Sequence, residues 1–307
     1  MSQATEEARS KAGSAAEPLL LQADWELDYY SRPILEPDGK KRWELLICST
    51  PVSGSGNQRF RFALNCSASS VNSQWLKQAL EQAVTQAVDE GFAPPSKLRC
   101  WRASMRTMVQ RAAEQLGLEL IPSRRCYALV EWLQERQLTV YPGEEGYMAG
   151  PLAPAPLPIQ PLAVPLPEAA RGDSWSWASL PLGSLREAGQ WDVSFAGLVP
   201  LESLGDDDAM VSGLRLFSAS RSLAIAGLIA GLEPVRLEVA GQQLVLEAGL
   251  EDRWLLGNLA SEEAEAAAQA FAAAREQAGG VQFLAVQSSE TQAGFDGFWV
   301  LRDLPDT

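Results

Sequence analysis

The chain has 307 residues, of which 46% are hydrophobic, so it can bury substantial cores and is long enough for about two domains. It contains no histidine, which excludes Ser-His and Cys-His triads, histidine general bases and histidine-ligated metals. With 25 Lys and Arg against 39 Asp and Glu, its net charge of −14 repels nucleic acid unless a local basic patch opposes that field.

The first 23 residues are predicted to form a disordered tail. Residues 1–23 are rich in Ala, Ser and Glu; they lack the apolar core of a secretory signal, and their glutamates are unlike a transit peptide. Arg215 and Arg221 interrupt the longest apolar stretch, Gly213–Leu232, which therefore falls short of the ~18 apolar residues that indicate a membrane helix. We expect a cytoplasmic protein without membrane insertion.

Residues 24–141 are predicted to form a first α/β domain. Period-two alternation predicts a hairpin and a third strand, and helical spacing then predicts helices that alternate with short strands. The expected elements are strands at 25–34, 40–48 and 60–66, a helix at 74–88, a strand at 97–101, a helix at about 103–116, a strand at 118–121 and a helix from Ser123, its N-cap, to about 137. The order βββαβαβα is that of a ribonuclease H-like domain.

Residues 142–172 hold eight of the 19 prolines, which predicts an extended, semi-rigid linker rich in Pro and Ala. Residues 173–307 are predicted to form a second, α+β domain whose core has a similar βββαβ order. Its expected elements are a strand at 191–199, a helix at 220–232, a hairpin of 235–240 and 243–248, a strand at 253–256, a helix at 261–278 with Ser261 as N-cap, and strands at 281–287 and 297–302. An internal duplication is an open alternative.

A basic segment, Lys97–Arg136, stands out within this acidic chain. It carries eight Lys and Arg against four acids, a net charge of +4. Seven of the eight cations are arginine, whose planar guanidinium binds phosphate through two nitrogens and stacks on bases. The segment, which includes Arg99 on a predicted strand, therefore favours binding of RNA or another anion.

Two pairs of arginines in this segment are candidate phosphate contacts. Arg102 and Arg106 lie one helical turn apart and form either a solvated face or a phosphate track. Arg124 and Arg125 occupy the predicted first turn of the next helix, where cations oppose the helix dipole. We expect a phosphate there, held also by helix amides and Ser123; the alternative is that Glu131, Glu135 or an acid from another element pairs with these arginines.

Aromatic and sulfur-containing residues complete the candidate list. Tyr30 is predicted to be an exposed platform for base stacking, on a polar strand face that it shares with Asp28 and Arg32. The four cysteines are expected to be reduced and buried, and Cys126, beside Arg124 and Arg125, is the one whose pKa could be lowered.

An enzyme is the less favoured interpretation. Asp28, Glu44 and Glu81 could serve as metal-binding carboxylates of a ribonuclease H-like nuclease, but the strand at 97–101 has no acid, and its arginine would repel a metal ion. We therefore predict no catalytic activity, no metal site and no cofactor.

Several long motifs resemble the Tab-type family of RNA-binding translation factors. The matching stretches lie in both predicted domains, at Trp25–Ile34, Lys41–Cys48, Trp101–Met108, Pro122–Leu129, Glu131–Arg136 and Trp254–Leu256. Proteins of that family occur in chloroplasts and cyanobacteria and are named for translation of the psaB photosystem I message. The resemblance implies binding of A/U-rich leader RNA and a role in photosystem biogenesis, and it ties the tripeptide Trp254-Leu255-Leu256 to RNA binding.

We therefore predict a protein that binds single-stranded, A/U-rich RNA through the arginines of the first domain and through Arg253 and the adjacent tripeptide of the second. Translation proteins or photosystem assembly proteins are possible further partners. The Pro/Ala-rich linker and the missing transit peptide depart from a chloroplast member and indicate a cyanobacterial cytoplasm, with the chloroplast stroma as the alternative. A scaffold for photosystem assembly, which would bind a basic partner through the acidic remainder of the chain, is the rival function, and a metal-dependent nuclease is the third.

Overall fold

A computed structural model describes residues 24–51, 59–149, 161–188 and 204–302, together with residues 191, 199 and 201. The predictions of a tail at 1–23, of the middle of the linker at 150–160 and of most of a strand at 191–199 concern residues outside these ranges. The chain has a mixed α/β fold in two domains, as the sequence predicts. None of the helices in the described part of the chain is long and apolar enough to cross a membrane.

The first domain is built on a five-stranded sheet with the order β3-β2-β1-β4-β5. Strands β1 to β3 form an antiparallel meander, whereas β4 and β5 run parallel to β1. The elements in chain order are β1 (Trp25–Leu35), β2 (Lys41–Ser49), β3 (Arg61–Cys66), α1 (Ser73–Asp89), β4 (Lys97–Cys100), α2 (Arg106–Glu114), β5 (Glu119–Pro122) and α3 (Tyr127–Thr139).

Helices cover both faces of this sheet. On one face α1 and α2 pack against Trp25, Leu27 and Tyr29 of β1. On the other face α3 packs against Ile34 and Leu46. Alternate residues of β1 therefore point into two different cores, so the polar residues between the apolar ones are buried as well.

Both ends of the predicted linker lie against the domains that it joins. Met148 donates its backbone N–H to the carbonyl of Pro33 at 2.9 Å, which ties the start of the linker to β1. At the other end β6 (Val164–Pro165) pairs with a strand of the second domain, and Leu166 and Ala170 are buried. Pro165 is tolerated there because β6 is an edge strand.

The second domain contains two four-stranded sheets, with the orders β6-β11-β10-β9 and β13-β12-β8-β7. Helices α5 and α6 pack with residues of both sheets in one shared core. Its elements after β6 are β7 (Ser174–Pro181), α4 (Leu182–Glu187), β8 (Met210–Phe217), α5 (Ser222–Leu232), β9 (Pro234–Ala240), β10 (Gln243–Ala248), β11 (Asp252–Asn258), α6 (Ser261–Gln277), β12 (Val281–Gln287) and β13 (Gly297–Arg302).

Several sequence-based predictions for these elements need correction. The βββαβ order is present from β9 to β12, but it does not form one core like that of the first domain, because β12 pairs with β8 in the other sheet. Strands β7 and β8 and helix α4 are additional elements. Ser261 is the first residue of α6 rather than its N-cap, which is Ala260, and α3 begins at Tyr127, four residues after the predicted cap.

Candidate functional site

Two candidate arginines meet at one edge of the first-domain sheet. Strands β4 and β5 are parallel neighbours with Cys100 paired to Pro122, and Arg102 and Arg124 each follow two residues later. Adjacent strands lie about 4.8 Å apart, so both side chains start from the same edge, where the carboxyl ends of the parallel strands meet. Ligands of α/β sheets bind at such edges.

Arg102 lies against two aromatic rings. Its guanidinium carbon is 4.1 Å from the centre of the Tyr30 ring and 4.3 Å from that of Trp101, close enough for cation–π attraction to both. Asp28 fixes this cluster, because one of its carboxylate oxygens accepts from Arg102 Nε at 2.5 Å and from Trp101 Nε1 at 3.1 Å. Tyr30 is half-buried and carries the Arg102 guanidinium on its ring, so it is less open than the sequence predicts.

The strand face predicted to be polar and exposed is instead the site of a buried ion network. Arg32, only 3% exposed, bonds to Asp28 at 2.8 Å and to Glu44 at 2.9 Å. Burial alone would raise the pKa of Asp28, but attraction and hydrogen bonds from Arg32 and Arg102 lower it below its usual value. The exposure predicted for Asp28 and Arg32 is wrong because α3 covers this side of the sheet.

Arg106, unlike Arg32 and Arg102, has a guanidinium that binds no carboxylate of the described residues. It is the first residue of α2 and is exposed, and its side chain makes no hydrogen bond or ion pair with the residues that the structure describes. Arg106 is therefore the most accessible of the predicted contacts, next to the Arg102 cluster in the chain.

Arg99 and Ser123 connect the first domain to Glu233, the residue that directly follows α5 of the second domain. Arg99 is buried and contacts Glu233 at 3.0 Å and Asp24 at 2.8 Å, and the Ser123 hydroxyl donates to Glu233 at 2.9 Å. Burial raises the pKa of Glu233, but the Arg99 hydrogen bond and charge outweigh it and hold the pKa below its usual value. Ser123 also accepts from Arg125 N at 3.0 Å, so its hydroxyl caps a turn between the domains rather than a helix.

Arg124 joins a cluster of arginines from the second domain around Glu247. Glu247 Oε2 contacts Arg124 at 2.6 Å and Arg236 at 2.8 Å, and its other oxygen lies 3.5 Å from Arg253 Nε. Burial raises the pKa of Glu247, but hydrogen bonds from Arg236 and Arg124 more than compensate and hold it at about 2. Two predicted sites, Arg124 and Arg253, thus meet at one carboxylate, and the buried Nε–H groups of both lack hydrogen-bond partners among the described residues.

Arg125 lies deeper between the domains. It is 3% exposed, and its guanidinium donates to the carbonyl of Val300 at 3.5 Å. The next residues also contact the second domain, because Tyr127 packs into a second-domain core and Glu131 pairs with Arg302. The sequence left open that an acid from another element pairs with Arg124. The structure shows such a pair, with Glu247.

The tripeptide Trp254-Leu255-Leu256 lies in the interior of a sheet. Strand β11 is hydrogen-bonded to β10 on one side and to β6 on the other, with Leu255 paired to Val245 and Pro165. Trp254 and Leu256 are half-buried and pack against the second-domain core, as a shared strand face predicts. The Trp254 indole N–H has no hydrogen-bond partner in the described ranges.

The first turn of α3 binds a carboxyl group from within the chain. Glu26 of β1 is fully buried, and one carboxylate oxygen accepts from the backbone N–H of Leu129 at 2.8 Å. Burial raises the pKa of Glu26 to about 8. Cys126, which precedes this helix, is also buried, and burial raises its pKa well above the usual value, so the predicted lowering is wrong.

Sequence reasoning missed one member of the arginine cluster. Arg236 and Glu247 are cross-strand partners in the hairpin of β9 and β10. The two-residue turn at Gly241-Gln242 already fixes that register, so the pair could have been found by counting outward from the turn. Trp101, which contacts Arg102, carries no comparable signal because it follows a strand end.

Family models match both domains of the chain. The model described as RNA-binding protein Tab2/Atab2 N terminal matches residues 24–136, and the model described as RNA-binding protein Tab2/Atab2, C-terminal domain, matches residues 154–302. A Zea mays protein named Protein TAB2 homolog, chloroplastic, is 35% identical over 316 residues, covering 97% of this chain and 78% of the relative. Its Arabidopsis thaliana namesake is 34% identical over 295 residues, covering 92% and 75%. No solved structure matches the chain.

The buried carboxyl of Glu26 predicts a specific pH dependence of stability. Its pKa is about 8 in the folded protein and 4.5 ordinarily, so between these values the unfolded chain has lost a proton that the folded chain retains. The free energy of unfolding should therefore fall as pH rises from about 5 to 8. Glu26→Gln keeps an acceptor for Leu129 N–H and should flatten this slope in urea unfolding. Because the chain has no histidine, other side chains contribute little in this window. Equal slopes for both proteins would contradict the assignment.

Proposed function

This chain belongs to the Tab2/Atab2 family of RNA-binding proteins, and from that membership we propose that it binds single-stranded, A/U-rich RNA and promotes translation of photosystem messages. The observation that carries the proposal is the convergence of Arg124 of the first domain with Arg236 and Arg253 of the second. Three guanidiniums meet at Glu247, and Arg253 also pairs with Glu238 at 2.7 Å, so the junction has three cations against two carboxylates in an otherwise acidic chain. Phosphates prefer such bidentate donors.

The proposed RNA path starts on the first domain and continues to this junction. Arg106 is exposed and would make the first phosphate contact, while Tyr30 and Trp101 flank Arg102 and offer ring faces to bases. Arg102 and Arg124 follow neighbouring strands, which supports one continuous path between the two groups of residues. The Nε–H groups of Arg124 and Arg253, which make no hydrogen bond with the described residues, would donate to phosphate oxygens at its end.

The biological setting is also part of the proposal. Two relatives are named chloroplastic TAB2 homologs, which supports a role in photosystem biogenesis and the chloroplast stroma as the location. A cyanobacterial cytoplasm is the other proposed location. Translation or photosystem assembly proteins are the proposed further partners.

We further propose that the first domain has a ribonuclease H-like topology and that the protein is nevertheless not a nuclease. The sheet order β3-β2-β1-β4-β5, with three antiparallel strands followed by two parallel ones, supports that topology. Guanidiniums bind the carboxylates that a nuclease would use for metal ions, because Asp28 contacts Arg32 and Arg102, and Glu44 contacts Arg32 and Arg136. An experimental structure of the chain would test the topology.

Replacement of Arg124 by Ala should weaken RNA binding and flatten its salt dependence. Each lost phosphate contact on a single strand lowers the slope of log affinity against log salt by about 0.7. The matched control is Arg302→Ala, which also removes an ion pair between the domains, with Glu131, but lies outside the proposed path. Fluorescence anisotropy with an A/U-rich oligonucleotide at several salt concentrations measures both. A slope that is unchanged in Arg124→Ala, or changed equally in both variants, would refute the contact.

Trp254→Ala separates packing from base stacking. Because the indole packs against the core, we expect a loss of folding stability, up to the 3–5 kcal/mol that a buried tryptophan costs, and in addition a loss of about 1–3 kcal/mol in RNA affinity. Trp175→Ala is the control, since Trp175 is half-buried in the same core and should affect stability alone. If RNA affinity of the folded fraction is unchanged in Trp254→Ala, the tripeptide is purely structural.

The purified protein should leave labelled RNA and RNA–DNA hybrid intact in the presence of Mg²⁺ or Mn²⁺. The physical reason is that the Asp28 carboxylate already accepts from two arginines and an indole N–H. Gel analysis of both substrates over several hours measures this. Metal-dependent cleavage that disappears in Asp28→Asn would overturn the assignment.

A further inference from the structure

Helix α5 exposes an unusual apolar surface. Its sequence from Ser222 to Leu232 contains no charged residue. One side is buried in the second-domain core through Ile225 and Ile229. The opposite side, which we term the α5 surface, is exposed and consists of Leu223, Ala224, Gly227, Leu228 and Gly231.

The α5 surface is as apolar as a helix face that is buried against another part of a protein. A helix that is apolar all round is normally buried on all sides, because exposing its outer face leaves apolar area in water. Leu223 is 73% exposed and Leu228 is 43% exposed. No atom of the described residues outside the helix lies within 4 Å of the position that a Cβ would take at Gly227 or Gly231, so an apolar side chain could lie directly on the helix between the two leucines.

The chain itself supplies a candidate occupant at the C-terminal end of α5. Asp24 is the first described residue, and Arg99 binds both Asp24, at 2.8 Å, and Glu233, at 3.0 Å. Glu233 directly follows α5. The chain that precedes Asp24 therefore starts next to the end of this helix, and it contains three consecutive leucines, Leu19-Leu20-Leu21.

We propose that the α5 surface binds Leu19, Leu20 and Leu21 of the same chain. These leucines lie three to five residues before Asp24, and an extended chain of that length spans about 10–17 Å. The α5 surface extends about 12 Å from Gly231 to Leu223, at 1.5 Å per helical residue. Leu228 lies five residues before Glu233, about 7.5 Å along the helix axis, so the leucines can reach the C-terminal half of the α5 surface, and their tethering makes the contact intramolecular.

Such a contact would cross between the two domains. Asp24 begins the first domain, whereas α5 belongs to the second, so leucines bound to α5 would add an apolar contact to the ionic one at Arg99. The inference is independent of RNA binding, because the α5 surface contains none of the proposed RNA contacts.

A double-mutant cycle in the full chain tests the contact. The surface variant is Leu223→Ser with Leu228→Ser, and the N-terminal variant is Leu19→Ser with Leu20→Ser and Leu21→Ser. Each should lower the melting temperature by a few degrees, and the combined variant should melt no lower than the more affected of the two, since both remove the same interaction. Leu138→Ser is the control, because Leu138 of α3 is 79% exposed on another helix and should be additive with the N-terminal variant.

Hydrogen exchange of the unmodified protein provides a second measurement that needs no variant to fold. Amides of residues 19–21 should be protected in the wild type, and the surface variant should remove that protection. Additive melting shifts, or unprotected amides in the wild type, would overturn the proposal. A dimer that is lost in the surface variant but kept in the N-terminal variant would also overturn it, by showing that a second copy covers α5.

Discussion

The relative position of the two domains depends on ion pairs between arginines of the first domain and carboxylates of the second. Arg99 with Glu233 is largely removed from water, and removing one partner of a buried pair typically costs about 3–5 kcal/mol. Arg124 with Glu247 is a second ion pair between the domains, and its arginine is more exposed. The basic segment therefore has a structural use before any ligand is considered. Arginine suits it better than lysine, because one guanidinium can contact two carboxylates at once, as Arg99 does with Asp24 and Glu233.

Sequence periodicity located most helices and strands because their apolar residues recur at 2 or 3.6 positions. It failed where tertiary contacts replace local ones. The Ser123 hydroxyl caps a backbone N–H as predicted, but Arg124 donates its own N–H to the carbonyl of Gly249 in the other domain, so the helix starts only at Tyr127. Burial of Asp28 and Arg32 was missed for a related reason: a polar residue on an alternating strand indicates solvent only if no helix covers that face.

The candidate site shows the same division between local and distant information. Arg236 and Glu247 are separated by a two-residue turn, so their contact follows from the hairpin alone. Arg124 and Glu247 are 123 residues apart, and nothing in the local pattern of either predicts the other. The sequence alone shows that Arg124 and Arg125 require a compensating anion. It leaves open whether that anion is a phosphate or an acid from another element. The placement of each arginine then depends on where the second domain puts its carboxylates.

These placements divide the arginines by how easily they could exchange a carboxylate for a phosphate. Arg32 and Arg99 are only 3% and 6% exposed, so a phosphate could reach their guanidiniums only by displacing the buried carboxylates that they bind. Arg124 differs, because Glu247 would still be bound by Arg236 through two hydrogen bonds at 2.8 and 3.0 Å if Arg124 turned away. Its side chain is also one-third exposed. A phosphate that approaches the junction could therefore take Arg124 at little cost to the buried carboxylate. If RNA binds here as proposed, RNA binding and the arrangement of the domains would be thermodynamically linked through this residue.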